Sequence, residues 1–229
     1  MPLLGRAAML LTFDIAPEAV AEHDDWHTHE HLPERLAIPG FLRGTRWVAD
    51  GEGTGYCVLY EVAQLETLAS PAYLERLNHP SPWTQKMMPH YRGMTRGLCE
   101  VAHSHGLGAG HFGLLVRFKP AGEAAAALDA WLGTELLPRI TQQPGLGSAH
   151  LLRSGMAAAM TSEQRIRGAD AGVDWAVLVT GYQREALQRL AQGELGPAQL
   201  AQRGAAGVLS ASYRSAYTLA AAELLPARG

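Results

Sequence analysis

Apolar residues fall into short runs that predict a small set of strands and helices. Strands are predicted at about 8–14, 41–48, 56–62 and 92–102, with one helix from Pro17 to Pro33 and another over about 64–77. The two middle strands are apolar nearly throughout, whereas a sheet with one wet face alternates, so both faces are expected to be covered. The resulting order, βαββαβ, is that of the ferredoxin-like split unit.

Three local signals sharpen these boundaries. Pro17 suits the first turn of a helix, and Val20, His27 and His31 follow at helical spacing. Pro33 lacks an N–H and is expected to end or kink that helix, or to open a further short turn. GEGTG at 51–55 predicts a turn between two strands.

An internal repeat divides the chain. WHTHEHLP at 26–33 recurs as WLGTELLP at 131–138, with Trp, Glu and Pro at the same spacing. The same order continues in MLLTF (9–13) and LLVRF (114–118), YCVLYEV (56–62) and WAVLVTG (175–181), and YRGMTRGLCEV (91–101) and YRSAYTLAAAEL (213–224). Several matches in one order indicate a duplication.

The repeat sets the expected domain boundaries. We predict a first ferredoxin-like unit at 1–104, a Gly-rich flexible linker at 105–110 and a second unit at 111–229. The second unit carries an insertion at about 153–172, interpreted as a mobile hairpin extension with a short helix near 157–166. A lid, an assembly contact and a plain surface loop all fit this insertion.

Composition and charge narrow the classes of binding partner that we expect. A net charge of −3, with 18% charged and 47% hydrophobic residues, gives no basic footprint for nucleic acid or for an anionic membrane. No apolar run is long enough to span a bilayer, and the N-terminus lacks the features of a signal peptide. Cys57 and Cys99 sit in apolar runs and are predicted to be buried thiols, so a cytoplasmic protein is expected.

Two motifs resemble a known family. The pattern W-x(3)-E-H-L-P-E-R-L-x-I-P-G-F at 26–41, followed by Y-L-x-R-L-N-x-P-x-x-W at 73–83, resembles the EthD-like branch of the dimeric α/β-barrel superfamily. The resemblance implies an α+β fold in which two ferredoxin-like units pack their antiparallel sheets into a barrel. Members include cofactor-independent monooxygenases, polyketide cyclases, lactone isomerases and heme-binding enzymes, so the fold does not name the reaction.

The histidines of the first copy are the candidate chemistry. Residues shared by both copies suit the common scaffold, whereas His27, His29 and His31 occur in the first copy only. Because leucines replace His27 and His31 in the second copy, these two are expected to be partly buried. We predict that they line a cavity between helix and sheet and transfer a proton, with Glu30 orienting a ring or serving the scaffold. His29 is expected to be solvated.

Further residues are predicted to complete a substrate pocket. They are His23, Arg43, Thr45, Trp47, Tyr60 and Trp83. No third ligand is marked beside the histidines, so no metal site and no cofactor are predicted. The leading hypothesis is therefore a cofactor-independent monooxygenase, cyclase or isomerase acting on a small aromatic or polyketide-like molecule. A non-catalytic ligand-binding or assembly protein and a heme or metal enzyme remain alternatives, and a homo-oligomer stays open.

Overall fold

The first half of the chain has the predicted order of elements. The computed structural model describes residues 3–51, 55–156 and 161–224. The elements are β1 (Ala7–Ile15), α1 (Val20–Trp26), α2 (Leu32–Leu36), β2 (Phe41–Ala49), β3 (Tyr56–Val62), α3 (Pro71–Asn78), α4 (Pro82–Met87) and β4 (Tyr91–Gly106). The predicted second helix is a 3₁₀ segment, Leu65–Ala69, followed by α3. Residues 52–54 of the predicted turn lie outside the described residues.

The second half repeats this order with one addition. Its elements are β5 (Phe112–Pro120), α5 (Ala125–Ala130), α6 (Leu137–Ile140), β6 (Leu146–Met156), α7 (Ser162–Arg167), β7 (Ala171–Gly172), β8 (Trp175–Gly181), α8 (Arg184–Gln192), α9 (Pro197–Gln202) and β9 (Ala205–Ala220). The addition consists of α7 and β7, which fall within the predicted insertion. None of the described helices is long and apolar enough to cross a membrane.

The strands close into a ring. Hydrogen-bonded neighbours run β1-β3-β2-β9-β5-β8-β6-β4, and β4 pairs back with β1, while β7 adds a short parallel pairing to β4. All pairs in the ring are antiparallel. This confirms the predicted α+β fold, with helices outside a barrel of two four-stranded contributions.

Two long strands join the halves. β4 and β9 each have 16 residues, and each pairs first within its own half and then with the other half. Since His105 and Gly106 belong to β4 and pair with β6, the predicted flexible linker at 105–110 is wrong over these two residues. β4 extends beyond the predicted end of its strand because residues His103–Gly106 pair with β6.

Apolar side chains form three cores. One lies between the helices and the sheet of the first half, one occupies the same place in the second half, and one fills the barrel lumen. Cys57 and Cys99 lie in the lumen core, which confirms their predicted burial. Burial raises the pKa of each thiol to about 12, so neither is a reactive thiolate near neutral pH.

Pro33 opens a further short helix, α2, which is one of the predicted options, and a π-helical turn precedes it. Between α1 and α2, residues His27–His31 form a π-helix, and the Leu32 N–H bonds the carbonyl of His27, five residues back. The wider turn leaves room for the proline ring and tolerates its missing N–H, so helical geometry continues to Ala37. A second π-turn, Trp131–Leu136, precedes Pro138 in the same way.

Candidate functional site

A small cavity lies between the first π-turn and the outer face of the sheet of the first half. Its volume is about 30 Å³, which is enough for a water-sized guest. His27, His31 and Arg35 line it from the π-turn and α2. The structure thus places both histidines in the lining of a cavity between their helix and their own sheet.

The two cavity histidines, His27 and His31, are buried side by side. Their ring centroids are 5.5 Å apart, and their relative exposures are 2% and 8%. Neither Nδ1 atom has a hydrogen-bond partner among the described residues, although both atoms are buried. The His27 Nε2 atom lies 3.5 Å from the Tyr60 hydroxyl. Buried polar atoms are normally satisfied, so each of these nitrogens has hydrogen-bonding capacity that no described side chain uses.

Burial keeps both imidazoles neutral. Desolvation lowers the pKa of His27 well below 6.5, and the positive charges of His23, Arg46 and Arg35 act in the same direction. Desolvation also lowers the pKa of His31 well below 6.5, and the positive charge of Arg35 is the next largest cause. At neutral pH each ring therefore offers one acceptor nitrogen and one N–H donor.

His23, predicted to bind substrate, lies behind the cavity. Its ring is fully buried 5.5 Å from that of His27. Its Nδ1 atom lies 3.2 Å from the Asp24 carboxylate, and its Nε2 atom lies 3.3 Å from the Tyr91 hydroxyl. Desolvation lowers the pKa of His23 against the opposing effect of Asp24. Because both nitrogens have protein partners, His23 supports the wall and holds Tyr91, whose ring lines the cavity.

Glu30 contacts side chains of the scaffold, the option that was predicted beside a role in orienting a ring. Its carboxylate accepts hydrogen bonds from the Trp26 indole at 3.1 Å and from the Ser81 hydroxyl at 2.5 Å. Ser81 caps α4 by accepting from the Thr84 amide, so Glu30 fastens the π-turn to α4. The exposed side chain of His29 confirms the prediction that it is solvated.

Tyr60 takes its predicted place, and a second tyrosine joins it. Tyr60, on β3, and Tyr73, on α3, both line the cavity and are buried. Desolvation raises the pKa of Tyr60, so its hydroxyl stays protonated. The Tyr73 hydroxyl donates to the thioether of Met9 at 3.1 Å and accepts from Arg96 at 3.0 Å. With Tyr91, three tyrosines therefore line the cavity besides the histidines.

Arg43, Thr45 and Trp47 face the other side of the sheet, so their predicted place in the pocket is wrong. They line a separate cavity of about 20 Å³ in the barrel lumen. Arg43 donates to Glu61 at 2.6 Å, and Thr45 accepts from Thr218 at 3.2 Å. Strand alternation correctly placed these three side chains on one face, but both faces of β2 are covered by protein.

Trp83 also lies away from the cavity. It is half-buried against the core of the first half, and its indole donates to Glu22 at 3.1 Å. It thus ties α4 to α1 and does not close the cavity mouth as predicted.

The insertion of the second half closes the cavity of the first half. Thr161, Glu163 and Arg167, at and within α7, form part of the lining. The predicted short helix exists as Ser162–Arg167, with Thr161 and Gln164 forming a capping box. Residues 157–160 of the predicted insertion lie outside the described residues. Sequence reasoning missed these lining residues because their contacts are distant in the chain.

One buried ion pair joins α7 to the first half, and a second lies within the insertion itself. The Arg35 guanidinium donates to the Glu163 carboxylate, and both side chains are almost fully buried. Although burial opposes it, the charge of Glu163 raises the pKa of Arg35 above its ordinary value. Arg167 pairs with Asp170 at 2.6 Å. A charged wall from the second half is therefore fixed against the histidine side of the first half.

The corresponding place in the second half is filled by leucine. Leu132 and Leu136, which align with His27 and His31, are fully buried in the apolar core of that half. The polar cavity of the first half thus has an apolar counterpart in the second.

No group of three or more His, Cys, Asp or Glu side chains in the described residues is arranged to hold a metal ion. A porphyrin is far larger than the cavity in its described, closed form.

Comparisons with known proteins identify the fold. No known protein family matches the chain, and no curated protein sequence matches it. An anthrone oxidase-like protein superposes with a TM-score of 0.70 at 16% identity, covering 99% of this chain and 98% of its own. A candidate monooxygenase from Fusobacterium nucleatum gives 0.62 at 7% identity, covering 95% and 96%. One from Lactobacillus acidophilus gives 0.58 at 10% identity, covering 94% and 96%. At these identities the likeness shows a shared fold, the ferredoxin-like barrel of monooxygenase-type structures.

Proposed function

We propose that this protein is an enzyme that removes a proton from a small aromatic or polyketide-like molecule, without a metal or organic cofactor. One observation carries the proposal: two buried, neutral imidazoles, His27 and His31, face one closed cavity with Nδ1 atoms that lack protein partners. A neutral imidazole in hydrogen-bonding reach of an acidic C–H or O–H group is a suitable general base.

The burial of both rings shapes the proposed proton transfer. When a neutral imidazole takes a proton from a C–H or O–H group of the substrate, an imidazolium and a new negative charge on the substrate form together. The low pKa of both rings means that an isolated imidazolium is costly here, so the new anion must stay close to offset the charge. Such a site favours substrates whose anion is delocalised, as in an aromatic or polyketide-like ring system.

The resulting anion has several outcomes in this fold. Reaction with dioxygen converts a ring CH₂ group into a carbonyl and releases one water, which balances without a further reductant. Reprotonation at another atom gives an isomerase, and attack on an internal carbonyl gives a cyclase. The names of the structural neighbours, an anthrone oxidase-like protein and candidate monooxygenases, support the oxidative outcome.

Substrate entry in this proposal needs movement of α7. A cavity of about 30 Å³ does not hold an aromatic ring, and α7 provides one of its walls. The contacts that must yield include the ion pair between Arg35 and Glu163 and the hydrogen bond from the Ser162 amide to Asn78, 3.3 Å long. Closure after binding would exclude water from the reacting anion.

Anthrone and dioxygen provide a first test. We expect oxygen uptake with formation of the quinone, and a loss of about 100-fold or more in His27→Leu and His31→Leu, a range typical of a lost general base. The leucines copy the second half, so both variants are expected to fold. His29→Leu, on the same π-turn but exposed, is the matched control and should keep full activity.

The opposite result points to the non-catalytic alternative. If anthrone binds, with a change in tryptophan fluorescence, but is not turned over, the protein is a small-ligand-binding protein. If both leucine variants keep wild-type turnover, the protein is an enzyme but the histidines are not its base.

The ancestry of the two halves forms part of the proposal. We infer that the chain is a fused tandem duplication from the EthD-like branch. Support comes from the common element order and from the two π-turns, each with Trp at or just before its first residue and Pro two residues after its last.

A further inference from the structure

Three guanidinium groups line the cavity, and their charges are compensated unequally. Arg35 contacts Glu163 and Glu34, and Arg167 contacts Asp170 and Glu163. Arg96, on β4, donates to the Tyr73 hydroxyl, and no carboxylate among the described residues lies within ion-pairing distance of it. Arg96 is therefore the cavity guanidinium without an ion-pair partner in the described part of the chain.

The Tyr73 hydroxyl, which accepts from Arg96, donates its own proton to a weak acceptor. The Tyr73 hydroxyl donates its proton to the Met9 thioether at 3.1 Å, and a thioether is a weak acceptor. An oxygen anion beside Arg96 would accept from the guanidinium and offer Tyr73 a stronger acceptor than sulfur. Two donors from different elements, one strand and one helix, thus meet in the cavity lining, 3.0 Å apart.

The rest of the lining suits an apolar ring. Leu11, Phe13 and Met94 line the cavity from β1 and β4, and Met88 and Leu77 line it from the helical side. Methionines adapt their shape to flat aromatic guests and contact them favourably through sulfur. A ligand with one negative oxygen group on an aromatic body matches both the charge and the surface.

We propose that Arg96 and Tyr73 form the anion-binding end of this cavity, and that its ligand carries a carboxylate or an ionised phenol on an aromatic ring. The inference rests on the proposed function, since it names the class of substrate that the histidine cavity accepts. Arg96 binds and orients the oxyanion, while the histidines face the proton that leaves.

Binding of paired charged and neutral probes tests this inference. The probes are benzoate against benzamide, and 4-nitrophenolate against 4-nitroanisole, measured by calorimetry on the full chain. We expect wild-type protein to bind at least one anion about tenfold or more tighter than its neutral counterpart, the range of a charge-assisted hydrogen bond. The preferred anion identifies the oxyanion as a carboxylate or a phenolate.

Variants of Arg96 distinguish anion binding at this site from a general effect of positive charge on the protein. Arg96→Gln should lose about tenfold or more in affinity for the preferred anion while leaving the neutral probe unchanged, and Arg96→Lys should recover most of the loss. Arg92→Gln is the matched control, because Arg92 is exposed on the same strand and donates only to backbone carbonyls. Circular dichroism and thermal unfolding verify that each variant is folded.

The result that would overturn the inference is distinct from failure of the proposed function. Equal affinity for the charged and neutral probes, no detectable binding of either anion at millimolar concentration, or wild-type anion affinity in folded Arg96→Gln would each refute the anion site. His31→Leu should keep the anion affinity within about threefold while losing turnover. Unchanged turnover in that variant refutes the base but leaves the anion site standing.

Discussion

Replacement of His31 by leucine should make the protein more stable while removing a cavity histidine. His31 is 8% exposed, and its buried Nδ1 atom has no partner among the described residues. The aligned residue of the second half, Leu136, is fully buried in a packed core, so a leucine suits this position of the helix. A site kept for chemistry rather than for packing is expected to carry such a cost.

The size of the gain at neutral pH follows from two opposing effects. An unsatisfied buried polar atom costs about 1–3 kcal/mol, which leucine removes. The variant loses the contact between the His31 and Trp26 rings, whose centroids are 4.4 Å apart. Such a contact contributes about 0.5–1.5 kcal/mol. The expected net gain is about 1 kcal/mol, or roughly 2–4 °C in Tm for a chain of this length.

The gain in free energy of unfolding from His31→Leu should increase as the pH falls. Burial lowers the pKa of His31 in the folded state below its ordinary value of 6.5, so the unfolded chain binds a proton here that the folded chain does not. Folding stability of the wild type is therefore lost as the pH falls from 6.5 towards the folded pKa. The variant lacks this loss, so its advantage should increase by up to roughly 2 kcal/mol between about pH 7 and pH 5.

Urea unfolding at the two pH values measures both quantities. His29→Leu, an exposed change on the same turn, should shift the free energy of unfolding by less than about 0.5 kcal/mol. Leu136→His should destabilise the second half, because it buries a polar ring in an apolar core. The reasoning fails if His31→Leu is less stable than the wild type at neutral pH, or if the difference is the same at both pH values.

Three further predictions concern the same region. Glu163→Gln leaves the buried charge of Arg35 poorly compensated and should lower the free energy of unfolding by about 3 kcal/mol in urea titration. The double variant Arg35→Met/Glu163→Leu should recover most of this loss. Equal losses in the single and double variants would contradict the ion-pair reasoning. Glu30→Gln should cost about 1–2 kcal/mol through weaker bonds to Trp26 while leaving the pH profile of turnover unmoved, whereas a shifted profile would return Glu30 to the chemistry. Because the pKa of both cavity histidines is lowered by burial, kcat/KM should stay level as the pH falls through 6.5, and a decline centred at 6.5 would show that the base is solvated.

The fold was readable from the sequence because local pattern and repetition agreed. β3 has the predicted bounds, Tyr56–Val62, since an apolar run between turn signals defines a buried strand. The histidines could be singled out because the second copy acts as an internal comparison: a leucine at an aligned position implies burial, and burial of a polar ring needs a reason.

The other residues of the site could not be predicted from the sequence, because periodicity does not show which elements pack together. Alternation showed that Arg43, Thr45 and Trp47 share a face of β2, but with both faces buried it could not say which face met the cavity. Glu163 and Arg167 approach His31 from more than a hundred positions away, and only the closed barrel brings α7 over the first half. Arg96 was overlooked for a simpler reason: an isolated arginine in a strand carries no motif.

The pairing of β9 has a consequence for how the chain completes its fold during synthesis. β2, made early, lacks its outer neighbour until residues 213–220 of β9 have emerged, and the far end of β4 waits for β6. During that interval the first half presents unpaired strand edges, which are templates for association with other chains. The barrel therefore closes only when nearly the whole chain is present. Expression of residues 1–104 alone should yield a product that aggregates or pairs with a second copy.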